Sequence, residues 1–228
     1  MSMPFYVAPE QMMKDRADYA RKGIARGRAL VGMVYEVGVL LCAENPSRSL
    51  HKVSEIYDRI AFAGVGKYNE FDQLRVAGIR HADTKGFAYA RDDVDARSLA
   101  NLYAQYLGQV FTHEVKPLEV EILVAELGRS GRDAELFHVL YDGTVVDERQ
   151  FAVIGGDSDS IAERVAQHYS ENWGLREALR ASVAALEDGD ERLNPQDLEV
   201  AVLEDRGERR TFRRVNGAEL QALLGDAG

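Results

Sequence analysis

Apolar residues in this chain recur with two periods, in blocks, and the order of those blocks restricts the fold more than any single motif. Over Glu10–Arg26 they fall at Met13, Ala17, Ala20 and Ile24, a helical spacing of four, three and four. Pro9 stands just ahead, where a helix tolerates proline. Ala29–Glu36 and Val39–Ala43 then read as strands with Gly38 as the turn, and Leu50–Tyr57 and Ile60–Val65 as two more. Helical spacing returns over Asn69–Arg80 and over Ser98–Thr112, where Leu99, Leu102, Tyr103, Tyr106, Leu107 and Val110 form one stripe. Strands follow at Val120–Leu127, Leu136–Tyr141 and Phe151–Ile154, and Tyr141-Asp142-Gly143-Thr144 supplies hairpin chemistry between the last two. A second helix pair carries Ile161/Val165/Tyr169 and Leu175/Leu179/Val183/Leu186, and the polar stretch Glu187–Gln196 is a loop. Leu198–Val202 and Thr211–Val215 pair as strands, and Gly217–Leu224 closes the chain as a short helix. A doubly wound parallel sheet would alternate strand and helix one by one. Strand blocks separated by helix pairs predict instead two mostly antiparallel sheets packed together, a helix pair covering each outer face: a four-layer αββα sandwich of the α+β class.

Charge and cysteine content narrow the function. Asp and Glu outnumber Lys and Arg by 38 to 28, a net charge of -10, whereas nucleic-acid affinity needs clustered cations. The one cysteine, Cys42, can form neither an intramolecular disulfide nor a cysteine-based zinc site, which fits a reducing cytosol. No apolar run approaches the roughly 20 residues that span a bilayer, and Met1–Pro9 lacks the features of a signal peptide. The expectation is a cytoplasmic protein without nucleic-acid or membrane partners.

Chemical motifs are sparse. Gly64-Val65-Gly66-Lys67 sits between a strand and a helix, as a phosphate loop would, but Ala61 and Tyr68 stand where that loop needs Gly and Ser or Thr. It reads as a tight turn. His51, His81, His113, His138 and His168 are scattered; His81 with Asp83 is the nearest approach to a metal pair, and two ligands at a helix end do not make a site. Asp92, Asp93 and Asp95 precede a helix, where carboxylates favour the N-terminal dipole. Cys42 lies in an apolar run and packs as a small hydrophobe. Ser2, if exposed by loss of Met1, could act as an N-terminal nucleophile with its own amine as base. It precedes a loose lead and a helix, however, far from the first strand. Nothing in these patterns calls for a cofactor or metal.

Longer runs carry a resemblance. Pro9-Glu10-Gln11 and Tyr19-Ala20-Arg21-Lys22-Gly23-Ile24-Ala25-Arg26-Gly27 resemble the leading helix of proteasome α-type subunits. Val39–Ala43 with Glu44-Asn45-Pro46-Ser47-Arg48-Ser49-Leu50 resembles their actinobacterial form, as do Gly66-Lys67-Tyr68-Asn69-Glu70-Phe71-Asp72, Ser98-Leu99-Ala100-Asn101 and Leu198-Glu199-Val200-Ala201-Val202-Leu203. The similarity runs to about Leu224. It implies one domain over 1–228 with the sandwich of N-terminal-nucleophile hydrolases, an added N-terminal helix at 10–27 and a loop at 187–197.

The resemblance also implies a role without catalysis. In that family seven α subunits form a ring, two such rings flank two rings of β subunits, and the β subunits carry the catalytic threonine. Here Glu10–Arg26 takes the place of the extra helix with which α subunits begin, so no nucleophile sits at the strand start, and Asp58-Arg59 stands near where active subunits carry their catalytic lysine. Residues 1–9 would gate the entrance, with Phe5, Tyr6, Val7, Ala8 and Pro9 converging on the ring axis. The C-terminal tails of an ATPase ring would dock between adjacent α subunits, a lysine meeting the tail's carboxylate. Matching Ser49 to Tyr68 places that lysine at Lys52 and a glycine at Gly66; the helix-to-strand junction places a second at Gly27. Unfolded proteins bearing a prokaryotic ubiquitin-like tag would pass through. The exposed apolar residues of the leading helix and of Leu99–Val110 are the expected ring contacts. The family's longer C-terminal tail is nearly missing, the chain ending Gly225-Asp226-Ala227-Gly228. The competing expectation is a stand-alone hydrolase using Ser2.

Overall fold

The computed structural model describes residues 8–128, 133–187, 189 and 192–225. Two five-stranded antiparallel sheets form its centre. The first contains β1 (Leu30–Tyr35), β2 (Gly38–Glu44), β8 (Phe151–Ile154), β9 (Leu198–Glu204) and β10 (Phe212–Val215), in the order β10-β9-β2-β1-β8. The second runs β3-β4-β5-β6-β7, from β3 (Val53–Tyr57), β4 (Ile60–Gly66), β5 (Val120–Leu127), β6 (Ala134–Val139) and β7 (Val145–Glu148). Helices α4 (Ser158–Ala166), α5 (Leu175–Leu186) and α6 (Gly217–Leu224) cover the first sheet; α2 (Tyr68–Ala88) and α3 (Ala96–His113) cover the second. The added helix α1 (Pro9–Ala25) packs against β4 and β5.

The period of two along each strand sorts side chains into separate cores. In β1 and β2, Leu30, Val39, Leu41 and Ala43 point between the sheets with Ala63, Leu123 and Ala201. Their alternates Val31, Met33, Leu40 and Cys42 face α5 with Leu179 and Val183. In β4 and β5, Phe62, Ile122 and Val124 face Leu99, Tyr103 and Leu107 of α3. Central strands buried on both faces read as continuous apolar runs. Cys42 is wholly buried, and burial pushes its thiol up to about 12.

Several boundaries differ from the sequence reading. The Tyr141–Thr144 turn joins β6 to β7, a strand the sequence did not announce, while Phe151–Ile154 crosses to the other sheet. Val145-Val146-Asp147-Glu148 is a short edge strand without an inner apolar pair, so period alone does not find it. Gly38 opens β2, the turn being Glu36-Val37. β3 begins only at Val53, because the Asn45 side chain donates to the Leu50 carbonyl at 2.7 Å and holds residues 45–50 as a loop. Helix α2 runs eight residues beyond Arg80, which places His81 and Asp83 inside it, two apart and on different faces. Asp95 caps α3 by accepting from the Ser98 amide at 2.7 Å, while Asp92 and Asp93 lie in a single 3-10 turn.

Candidate functional site

One end of the sandwich brings Gly27, Gly66 and Lys52 together. After α1 the chain turns at Gly27, whose amide closes on the Ile24 carbonyl at 2.9 Å, and β1 begins three residues later. Gly66 ends β4 opposite Val120 with φ +101°. A Cβ placed on Gly27 would lie 3.4 Å from the Gly66 nitrogen, so the two backbones are neighbours. Lys52 bonds to residues beside each of them: its carbonyl accepts from the Gly64 amide at 3.0 Å, and its Nζ donates to the carbonyl of Arg28 at 2.6 Å.

The lysine is charged but, among the described residues, no carboxylate pairs with its ammonium. The nearest is Glu199, buried on β9, and its oxygens are occupied by other donors. They accept from Asn45 Nδ2 at 2.7 Å, from the Lys52 and Val53 amides at 2.8 and 3.2 Å, and from Arg214 Nη1 at 2.8 Å. Burial, aided by the Arg28 guanidinium and opposed by Glu199, pulls the Lys52 ammonium down to about 8. An ammonium so placed favours an incoming anion, since ion pairing restores what desolvation removes. Asn45 and Glu199, which hold this loop, were missed from sequence. An isolated glutamate in the apolar run Leu198–Leu203 was the available signal.

A second polar group fixes the Gly66 side. Glu119 is buried against Gly23 of α1, its carbonyl accepts from the Lys67 amide at 2.9 Å, and its carboxylate pairs with Lys67 and, at 3.1 Å, with Lys116. Lys116 also bonds Glu70 at 2.8 Å, whose other oxygen accepts from the Glu119 amide at 2.7 Å. Burial raises the Glu119 pKa, but hydrogen bonds from Lys67 and Lys116 outweigh it and hold the carboxyl below its usual range. The cluster ties α1, the end of β4 and the start of α2 into one unit.

Of the expected gate residues, Phe5, Tyr6 and Val7 lie outside the described residues, as does Ser2; Ala8 and Pro9 are exposed at the head of α1. The head of β1 is covalently continuous with α1, so the nitrogen of Leu30 is an amide and cannot serve as a base. Among the described residues no three His, Cys, Asp or Glu side chains come together as metal ligands, and no helix is long and apolar enough to cross a membrane. The apolar contacts expected on α3 are largely internal: Leu99 and Leu107 are buried and only Tyr106 is well exposed, whereas Met12 and Tyr19 of α1 do face outward.

Comparison with known proteins finds relatives over nearly the whole chain. A family described as "Proteasome subunit" matches residues 24–203. A protein of Acidimicrobium ferrooxidans named "Proteasome subunit alpha" is 70% identical over 226 residues, spanning 99% of this chain and 97% of its own. Proteins of the same name from Kineococcus radiotolerans and Thermobifida fusca are each 53% identical, covering 100% of this chain and 100% and 92% of theirs.

Proposed function

The chain belongs to the proteasome subunit family, as an α-type member, and from that premise we propose that it is the non-catalytic scaffold and gate of a core particle. Seven copies close into each outer ring, the β subunits of the inner rings cleave peptide bonds, and the whole works in the cytoplasm. The full-length identity to α subunits carries this reading, and α1 at the head of β1 supports it by leaving no free amine where a nucleophile would start. Lys52, with Gly27 and Gly66, receives the C-terminal carboxylate of an ATPase activator. Lysine suits a ligand that comes and goes, because its flexible ammonium follows a moving charge. Residues 1–9 narrow the axial opening, and docking opens it only by binding the open arrangement more tightly than the closed one. The activator, rather than this chain, recognises tagged substrates.

The native mass of the tagged chain drawn from its own host tests the assembly. Seven chains of 25.4 kDa make a ring of about 178 kDa. The expected product is several times heavier and contains a second subunit with an N-terminal threonine and peptidase activity. A monomer without a companion would end the reading.

Deleting residues 2–8 should raise hydrolysis of a short fluorogenic peptide by the assembled particle roughly tenfold, because in the intact particle a lid rather than chemistry limits the rate. Equal rates for deleted and intact particles would remove the gate from these residues.

A further inference from the structure

The head of α1 and the end of α3 enclose a groove of about 880 Å³. Its two cations are engaged within the chain. Arg16 Nη2 donates to the carbonyls of Val110, at 3.2 Å, and of Glu114, closing the last turn of α3. The Lys116 ammonium stands 5.7 Å from the Tyr19 ring centre and pairs with Glu70 and Glu119. The walls are apolar and uncovered: Met12, Tyr19 and Val115 are 44%, 46% and 97% exposed. Beside them Arg16 Nε is buried with no acceptor among the described residues. A buried donor left in that state is costly, and the carbonyl of an incoming extended segment would satisfy it.

The chain just ahead of the groove matches it. Helix α1 has Ala8 at its N-cap, a side chain that cannot cap, and the Met12 amide closes on the Ala8 carbonyl at 3.0 Å. Met12 is thus the fourth helical residue. An apolar residue just before an N-cap packs against an apolar residue at that position and so fixes the direction from which the chain enters. Here that residue is Val7, with Tyr6 and Phe5 ahead of it, all three outside the described residues. Residues 1–7 carry no charged side chain, so apolar walls strip no charge of its water. Tyr6 and Phe5 add about 7 Å of extended chain beyond Val7.

We propose that this groove is the seat of the chain's own leading segment: Val7 packs on Met12, and Tyr6 and Phe5 cross to cover Val115. The segment is the occupant because it is tethered at the groove's mouth, where its effective concentration reaches the millimolar range of about 1 mM without any partner. The inference rests on the gate reading and supplies its missing half. A segment laid back on its own subunit cannot also converge with the other copies on the axis, so the seated position is the withdrawn one. The open arrangement then has contacts of its own, and a docked activator has a defined state to favour.

Cross-linking tests the seat in particles assembled with the native β subunit. Cys42 is wholly buried, so Tyr6→Cys with Val115→Cys supplies the reactive thiols. Copper-phenanthroline oxidation should join them within one chain, as peptide mass spectrometry reads, and should raise hydrolysis of a short fluorogenic peptide toward the rate of the particle lacking residues 2–8. Dithiothreitol should reverse both. Val115→Asp alters a side chain that packs on nothing in the core. It should cut stimulation by an activator-tail peptide roughly threefold in the full-length particle and change nothing once residues 2–8 are deleted. No cross-link, a cross-link between chains, or one that leaves hydrolysis unchanged or slower would overturn the seat. So would a Val115→Asp effect that persists without the segment. If deleting residues 2–8 leaves hydrolysis unchanged, the gate reading fails and the withdrawn role with it, while the cross-link still decides the contact.

Discussion

Alanine at position 66 is expected to lower the unfolding free energy by about 3 kcal/mol, more than its single added methyl group suggests. Two effects add. The φ of +101° is a conformation that residues with a Cβ rarely adopt. The added Cβ would also overlap the Glu119 carbonyl oxygen, which is not free to retreat. That carbonyl holds the Lys67 amide at 2.9 Å, and the Glu119 side chain is fixed between Lys67, Lys116 and Gly23. Relief at one point therefore breaks bonds at another. Gly207→Ala is the control: φ there is +76°, but nothing lies within 4 Å of the new Cβ. Strain without overlap should cost about 1 kcal/mol. Urea titration of both variants against the wild type measures the difference, and equal losses would show that the packing at Gly66 carries no special weight.

Gly66 also shows what a sequence discloses and what it withholds. The strand blocks and helix pairs were legible because burial on a sheet imposes a period of two and burial of a helix imposes 3.6; Leu198, Val200 and Val202 and the stripe from Leu99 to Val110 follow those periods plainly. β7 escaped because an edge strand of four residues, half of them acidic, buries too little to show a period. The far end of α2 escaped because Gly78 and Gly86 interrupt its apolar face, though the fold uses them to seat Tyr103 and Tyr57. The candidate site was less legible still. No spacing relates Gly27, Lys52 and Gly66; family resemblance named them, and the turn after α1, the loop before β3 and the end of β4 meet at one corner of the fold. Glu199 is the counterexample, a charge set in an apolar strand, whose meaning was readable from its cost: a buried carboxylate needs several donors, and it has Asn45, two amides and Arg214.

The same carboxylate explains why Lys52 should matter so much. Because Glu199 is satisfied elsewhere, the ammonium keeps donors for a ligand while remaining partly desolvated. Lys52→Ala is therefore expected to reduce stimulation by the ATPase activator, or by a peptide copying its C-terminus, about tenfold or more relative to each particle's own unstimulated rate. The pH dependence identifies the mechanism. A carboxylate binds the charged lysine, and the empty site's pKa of about 8 lies below the ordinary lysine value, so docking takes up a proton as pH climbs past 8. Peptide affinity should hold steady below pH 8 and then fall, approaching about tenfold per pH unit, as the ammonium is lost. Lys52→Arg keeps a charge that does not titrate there. It should preserve part of the affinity and abolish that decline. Affinity that falls above pH 8 equally in the wild type and in Lys52→Arg would assign the titration to another group, and stimulation that survives Lys52→Ala would move the carboxylate site away from this end of the sandwich.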